Sequence, residues 1–229
     1  MRQWCRCCWL LGLTKMPRTI STMHPCILQQ MEGMRQWRRC CLLRGLTRRS
    51  GSWSMEAKNN QQNTPLHVAA YNGHQAIMQL LLAAGADHET RNNEQRTPLH
   101  FAAEEGHMAV VQVLLANTHA GADKEVRDND QCTSLHLAAG AGHEAVVQVL
   151  IAAGANMEAR AKPYQYTALH LAASKGHREV VKMLLASRAD KEARSKHQCT
   201  PLHRAAVEAH EAVVQVLLAA GADNGCPGA

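Results

Sequence analysis

Apolar residues recur at helical spacing through most of the chain beyond about residue 64. In the stretch MAVVQVLLA (108–116), Val111, Leu114 and Leu115 would lie on one side of a helix because they are three and four residues apart. Similar stretches return after each of several polar segments. The pattern predicts short amphipathic helices, and no stretch approaches the roughly 20 apolar residues that span a bilayer.

A seven-residue string precedes these helices and occurs five times. Its copies are TPLHVAA (64–70), TPLHFAA (97–103), TSLHLAA (133–139), TALHLAA (167–173) and TPLHRAA (200–206). A Gly-His step follows the first four copies, whereas the fifth is followed by Ala209-His210. The copies return with a period of about 33 residues, and a period of this length predicts a stack of similar helical units.

The string has the chemistry of a helix start. Its Thr can accept a hydrogen bond from a free amide of the first turn, and a Pro at the next position needs no donor there. The paired Ala residues leave room for a second helix, and glycines beyond the second apolar run suit the left-handed residue that ends a helix: Gly85, Gly121, Gly154 and Gly221. We therefore predict two helices per repeat, followed by a polar segment that leads to the next Thr.

These motifs resemble the ankyrin repeat, whose period is about 33 residues and whose signature contains TPLHxA. The resemblance covers residues 55–223 and implies an all-α repeat solenoid, a stack of antiparallel helix pairs with short projecting β-hairpin loops. The repeats would be 64–96, 97–132, 133–166, 167–199 and 200–223, followed by a short tail at 224–229. In this family the His of the motif braces it by hydrogen bonds, which implies structural roles for Thr64, His67, Thr97, His100, Thr133, His136, Thr167, His170, Thr200 and His203.

The repeats depart from the family pattern in three places. Repeat two has three extra residues near Asn117, Thr118 and His119, which we expect at the corner between helix and hairpin. The fourth hairpin, AKPYQY (161–166), has one extra residue and a Pro. The hairpin tip, where the family often has Gly, is Gln in every repeat, and we expect a less tightly turned tip: Gln62, Gln95, Gln131, Gln165 and Gln198.

Composition separates the segment 1–54 from the rest of the chain. The formal net charge of the chain is +6, but residues 1–50 hold ten Lys/Arg and one acid, a net charge of +9. All four Trp and six of the nine Cys also precede residue 55. The segment 1–14 returns at 34–47 with eleven of fourteen positions identical, an offset that equals the commonest spacing of the repeated string. This leader, residues 1–54, is expected to be disordered.

Back-translation suggests an origin for the leader. Read in another frame with GC-rich codons, residues 1–15 become DAAVVQVLLAAGADK, close to the EAVVQVLLAAGAD of residues 211–223. Our hypothesis is that residues 1 to about 52 are repeat-coding DNA translated out of frame. The alternatives are a transit peptide, a zinc site or a nucleic-acid contact, but the CRCC and RRCC clusters lack the spacing of zinc ligands.

No candidate catalytic or cofactor chemistry emerges from the repeats. The His residues recur one repeat apart, so they could not converge on one ion at distances near about 2 Å, and we predict no metal site. There is no GxSxG, no phosphate-binding GxxxxGK[ST] and no GxGxxG. We predict that the protein is not an enzyme and uses no cofactor and no small-molecule substrate.

The resemblance implies a protein–protein interaction scaffold whose partner lies on a concave face of hairpin tips and first helices. The alternatives are a fragment or mispredicted product without a partner, and a nucleic-acid binder acting through the basic leader. The implied contacts are Asn60, Gln61, Asn63, Tyr71, Asn72, Asn93, Glu94, Arg96, Glu104, Glu105, Asn129, Asp130, Tyr164, Tyr166, Ser174, Lys175, Lys196, His197 and Glu208. Tyr164 and Tyr166 are the preferred anchors, since Tyr is common at interface hot spots; packing on the adjacent hairpin is the alternative. We expect no membrane association, and a cytoplasmic or nuclear location.

Overall fold

The computed structural model describes residues 57–116 and 122–222 of the chain. The leader, the insertion near residues 117–119, Gly121 and the tail lie outside these residues. The first helices of the five repeats are α1 (Pro65–Tyr71), α3 (Pro98–Glu104), α5 (Ser134–Ala141), α7 (Ala168–Ser174) and α9 (Pro201–Val207). The second helices are α2 (Gln75–Ala83), α4 (Met108–Ala116), α6 (Glu144–Ala152), α8 (Arg178–Ala186) and α10 (Glu211–Ala219). The all-α repeat stack predicted from the sequence is confirmed for the described residues.

Each first helix begins at the predicted Thr. Thr64 is the N-cap of α1, with the extended backbone that this position requires (φ −82°, ψ 167°). Pro65 follows at the first helical position, and the His three residues after Thr64 completes a capping box. The four later first helices have the same capping box. The same capping box of Thr and His therefore begins all five first helices.

The helices pack in two layers that run along the stack. Each first helix packs against the next first helix, each second helix packs against the next second helix, and the two helices of a repeat contact each other. The Ala pairs lie where first helices meet; Ala102 and Ala103, for example, are fully buried. Leu99 and Leu135 fill the space between layers, and burying a Leu side chain contributes about 1.5–3 kcal/mol. The core is therefore continuous from repeat to repeat.

The Gly-His step joins neighbouring repeats. Gly106 has a left-handed backbone (φ +77°), and a Cβ there would lie 2.5 Å from Nδ1 of His143 in the next repeat. His143 in turn donates from Nε2 to the carbonyl oxygen of Glu104 at 2.8 Å. A histidine ring of the next repeat occupies the corresponding space beside Gly73, Gly142 and Gly176. Repeat five has Ala209 at this position with φ +56°.

The expectation of a loosely turned hairpin tip was wrong. The tip glutamines have φ of 58–62°, the left-handed conformation in which Gly is usually found. In the first hairpin, Gln62 donates its backbone N–H to the Asn59 carbonyl oxygen at 2.9 Å. The Asn59 side chain also accepts the backbone N–H groups of Gln61 and Asn63, both at 2.9 Å. An Asn that holds the loop from inside thus removes the need for Gly at the tip.

The fourth hairpin accommodates its extra residue differently. A cis peptide bond joins Lys162 to Pro163, and Ala161 pairs with Tyr166 in an isolated antiparallel bridge. The backbone N–H of Ala161 donates to the Tyr166 carbonyl oxygen at 2.8 Å. This bridge is the closest approach to a strand among the described residues, where the hairpins consist mainly of turns.

We predict that Gly106→Ala destabilises the protein more than Gly154→Ala. Both glycines have positive φ, so both substitutions cost about 1–2 kcal/mol for a left-handed L-residue. Only Gly106 also faces an imidazole ring, whereas the nearest atom to a Cβ at Gly154 is 4.0 Å away on the flexible Lys124 side chain. Urea unfolding of the two variants measures the difference. Equal losses would show that the ring of His143 moves aside without cost.

We predict that Ser134→Pro stabilises the protein, by more than the same substitution does at a matched position without a hydroxyl. Ser134 occupies the first helical position of α5, and its buried hydroxyl has no hydrogen-bond partner among the described residues. A buried unsatisfied hydroxyl costs about 1–3 kcal/mol, and Pro at a compatible position adds about 0.4–1 kcal/mol. Ala168→Pro is the matched control, because it adds the same ring in α7 without removing a hydroxyl. Thermal or urea unfolding should show the larger gain at Ser134.

Candidate partner-binding surface

The hairpin tips and the exposed ends of the first helices form one surface, called here the hairpin surface. Contacts join its two parts: Nη1 of Arg96 in the second hairpin lies 2.9 Å from Oε2 of Glu104 in α3. Among the predicted contact residues, the structure exposes Asn60, Gln61, Tyr71, Asn72, Asn93, Glu94, Glu105, Asn129, Asp130, Tyr164, Lys175, Lys196, His197 and Glu208. The other predicted contact residues are half-buried: Asn63, Arg96, Glu104, Tyr166 and Ser174.

Backbone hydrogen bonds join each hairpin to the next. Asn93 donates its backbone N–H to the Gln61 carbonyl oxygen at 3.0 Å, and Asn129 donates to that of Glu94 at 3.0 Å. Lys162 donates to Asp130 at 2.7 Å, and Lys196 donates to Tyr164 at 2.8 Å. The five tips are thus fixed side by side, and the side chains between these bonds are held in a set order.

The Asn residues of the first three tips contribute to this joint. The side-chain amide of Asn93 donates to the Asn60 carbonyl oxygen at 3.2 Å, and that of Asn129 donates to the Asn93 carbonyl oxygen at 3.3 Å. These side chains are exposed but already bonded. Pro163 and Lys196 occupy the corresponding places in the last two hairpins, so the side-chain part of the joint ends there.

The motif histidines fasten each helix start to the following hairpin. Nδ1 of His67 accepts the backbone N–H of Thr64 at 3.1 Å and lies 2.8 Å from the Thr64 hydroxyl. Its Nε2 lies 3.0 Å from the Arg96 carbonyl oxygen. Because a carbonyl only accepts, Nε2 carries the proton and the ring is neutral. His100, His136 and His170 bond in the same way to the next hairpin.

Burial keeps these rings neutral. Desolvation lowers the pKa of His67, His100 and His170 from 6.5 to about 4, although each ring donates to a backbone carbonyl. It also lowers the pKa of His136. In residues 57–116 and 122–222, no group of three His, Cys, Asp or Glu side chains could hold a metal ion. The same residues contain no helix long and apolar enough to cross a membrane.

The hairpin surface is acidic around the second and third hairpins. Arg96 is the centre of an ion-pair cluster there, with Nη1 2.9 Å from Glu104, and Nε 3.4 Å from Asp128 and 3.6 Å from Glu94. The Asp128 side chain is buried, and its Oδ1 accepts the backbone N–H of Cys132 at 2.8 Å. Arg96 therefore joins two repeats, and its positive charge is paired with three carboxylates.

Desolvation also controls the Cys132 thiol. Its burial raises the pKa to about 12, and the nearby Asp128 and Asp130 carboxylates act in the same direction. The thiol therefore remains protonated at neutral pH and is a poor nucleophile.

An aromatic cluster occupies the surface around the fourth and fifth hairpins. The Tyr166 ring stacks on His170 with centroids 5.4 Å apart, and the Arg204 guanidinium lies 5.4 Å from the Tyr166 centroid. Tyr164 contacts Tyr166 at 5.3 Å and His197 at 5.5 Å, yet 44% of it remains exposed. Tyr166 therefore packs within the protein, whereas Tyr164 offers a free surface.

The contact residues predicted from the sequence did not include the fifth residue of the repeated string. That position is half-buried in every repeat: Val68, Phe101, Leu137, Leu171 and Arg204. Phe101 contacts the edges of His67 and Tyr71, with centroids 5.8 Å and 6.1 Å away. The signal was present, because this position lies three residues before Tyr71 and its equivalents, one turn along the same helix side.

Comparison with known proteins agrees with this architecture. A family model described as Ankyrin repeats (3 copies) matches residues 41–128, 79–161, 118–195 and 135–227. These overlapping segments cover more than half of the chain. No curated protein matches it.

We predict that the protein loses stability as the pH falls from 6.5 to 5. In this range the unfolded state protonates His67, His100, His136 and His170, whereas the folded state does not. Unfolding then takes up protons, so each His removes about 1.4 kcal/mol of stability per pH unit. The stability these groups provide is complete above about pH 6.5 and is progressively lost toward pH 4.

Urea unfolding at a series of pH values measures this slope. His170→Gln is the control variant, since it removes one titrating group and should reduce the proton uptake by one. A free energy of unfolding that does not change between pH 6.5 and 5 would contradict the buried neutral rings.

Proposed function

The chain belongs to the ankyrin-repeat family, and from this we propose that it is a non-enzymatic scaffold that holds a partner protein on its hairpin surface. Ankyrin repeats generally mediate protein–protein interaction. The finer proposal is that the partner contacts a concave face made of the hairpin tips and the first helices.

One observation carries this proposal: the hairpins are bonded edge to edge before any partner arrives. The backbone bonds from Asn93, Asn129, Lys162 and Lys196 fix the order and spacing of the tips. A partner that binds a surface already in its bound conformation pays little of the ordering cost that weakens association with flexible loops. Exposed side chains such as Tyr71 and Tyr164 then supply contact area with few rotatable bonds.

The arrangement of the motif histidines also supports binding over catalysis. The rings of His67, His100, His136 and His170 are neutral, buried and already bonded at both nitrogens. A general base must reach the proton that it removes, and these rings are buried behind the hairpins. Their geometry supports a role in holding the surface together.

We predict that a protein captured by the full chain protects the hairpin backbone from hydrogen exchange and contacts Tyr164. Tyr164→Ala should weaken binding by about ten-fold or more, the effect of losing an interface hot spot. Gln148→Ala is the control, because Gln148 is exposed on the second helix α6, and it should leave the affinity unchanged.

Exchange measurements with and without the captured protein, together with titrations of the two variants, give the result. Protection confined to the second helices, or equal affinities of the two variants, would contradict the proposed surface. Binding lost on deletion of residues 1–54 but indifferent to Tyr164 would favour the leader instead.

A further inference from the structure

The hairpin surface changes the sign of its charge along the stack. The second and third hairpins and the end of α3 expose the carboxylates of Glu94, Asp130 and Glu105. Their counterpart Arg96 is half-buried in its ion-pair cluster. A ligand that approaches this end therefore meets negative charge.

The surface around the fourth and fifth hairpins has the opposite character. Lys162 and Lys196 are exposed in adjacent hairpin tips, and Lys175 is exposed at the end of α7. Within the described residues, none of these three ammonium groups takes part in an ion pair. By contrast, Arg204 pairs with Glu208 at 3.0 Å and covers the Tyr166 ring. The three lysines therefore supply the available positive charge on this part of the hairpin surface.

An apolar contact area lies among these lysines. Tyr164 is 44% exposed, and its ring is supported from behind by Tyr166 and His197. Val207, at the end of α9, is 72% exposed. A fixed aromatic ring and an aliphatic side chain between cations suit a ligand that has both carboxylates and an apolar side chain.

We propose that the hairpin surface around the fourth and fifth hairpins binds an extended acidic peptide segment of the partner. Its carboxylates would pair with Lys162, Lys175 and Lys196, and a neighbouring aromatic or aliphatic residue would pack on Tyr164 and Val207. This inference rests on the protein-binding function proposed above. Charge complementarity selects the occupant: a nucleic acid long enough to follow the surface would meet the carboxylates around the second and third hairpins, whereas a short acidic segment need not.

The test uses the full chain and a random peptide library displayed on phage. Wild-type protein should enrich peptides in which Asp or Glu flanks Tyr, Phe or Leu. An enriched peptide is then synthesised, labelled and titrated by fluorescence anisotropy. Its affinity should fall with rising salt, and it should fall about ten-fold or more in the variant Lys162→Glu/Lys175→Glu/Lys196→Glu. The variant Lys162→Gln/Lys175→Gln/Lys196→Gln repeats the measurement without charge reversal.

Two matched substitutions locate the peptide. Tyr164→Ala should weaken binding several-fold, whereas Met108→Ala should not change it, because Met108 is similarly exposed but lies on the second helix α4. Circular dichroism of each variant shows that the fold is retained.

Three results would overturn the inference. These are the enrichment of neutral or basic peptides, the enrichment of no peptide, and acidic peptides that bind the lysine variants as well as the wild type. A single-stranded oligothymidylate that binds more tightly than the peptides, and depends on the three lysines, would assign the surface to nucleic acid. If the inference fails while a captured protein still protects the hairpins and depends on Tyr164, the proposed function stands and only the partner's chemistry is wrong.

Discussion

The interface between neighbouring repeats is the constraint on which the rest of the structure depends. The helices are only seven to nine residues long, and isolated helices shorter than about 12–15 residues are marginal in water. The two helices of one repeat cannot bury their apolar sides without a neighbouring repeat. Stability comes instead from the Leu and Ala side chains that successive repeats place between the two helix layers. Each repeat is therefore held by its neighbours, and a disturbed joint affects the units on both sides.

Histidine side chains add hydrogen bonds to the apolar contacts between neighbouring repeats. The His of the string ties a helix start to the next hairpin, as His67 does with Arg96. The His that precedes the second helix ties it back to the previous repeat, as His143 does with Glu104. Neutral imidazole suits the first task because its Nδ1 accepts the Thr64 N–H and its Nε2 donates to the Arg96 carbonyl oxygen. The Gly-His step adds a steric condition, since the ring occupies the space that a Cβ at Gly106 would need.

The contacts between neighbouring repeats also fix the positions of the side chains on the hairpin surface. Backbone bonds between hairpins determine where side chains stand, so a change of residue at a tip alters the chemistry of the surface with little effect on its shape. This separation lets one stack combine an acidic end around Glu94 and Asp130 with a basic, aromatic end around Tyr164 and Lys196. It also explains why exposed residues differ in availability: the Asn93 side chain is bonded to its neighbour, whereas the Lys196 ammonium lies outside the ion pairs of the described residues.

The sequence by itself determined the helix starts and the residues that face the core. These features depend on interactions within a few residues, such as the capping of α1 by Thr64, or on helical periodicity. Only the tertiary structure decided which surface residues are available, because that depends on contacts between residues one repeat apart. Arg96 is engaged by Asp128, and Tyr166 is covered by Arg204 of α9. The tight turn at Gln62 also needed the structure, since side-chain bonds from Asn59 overrode the local preference for Gly.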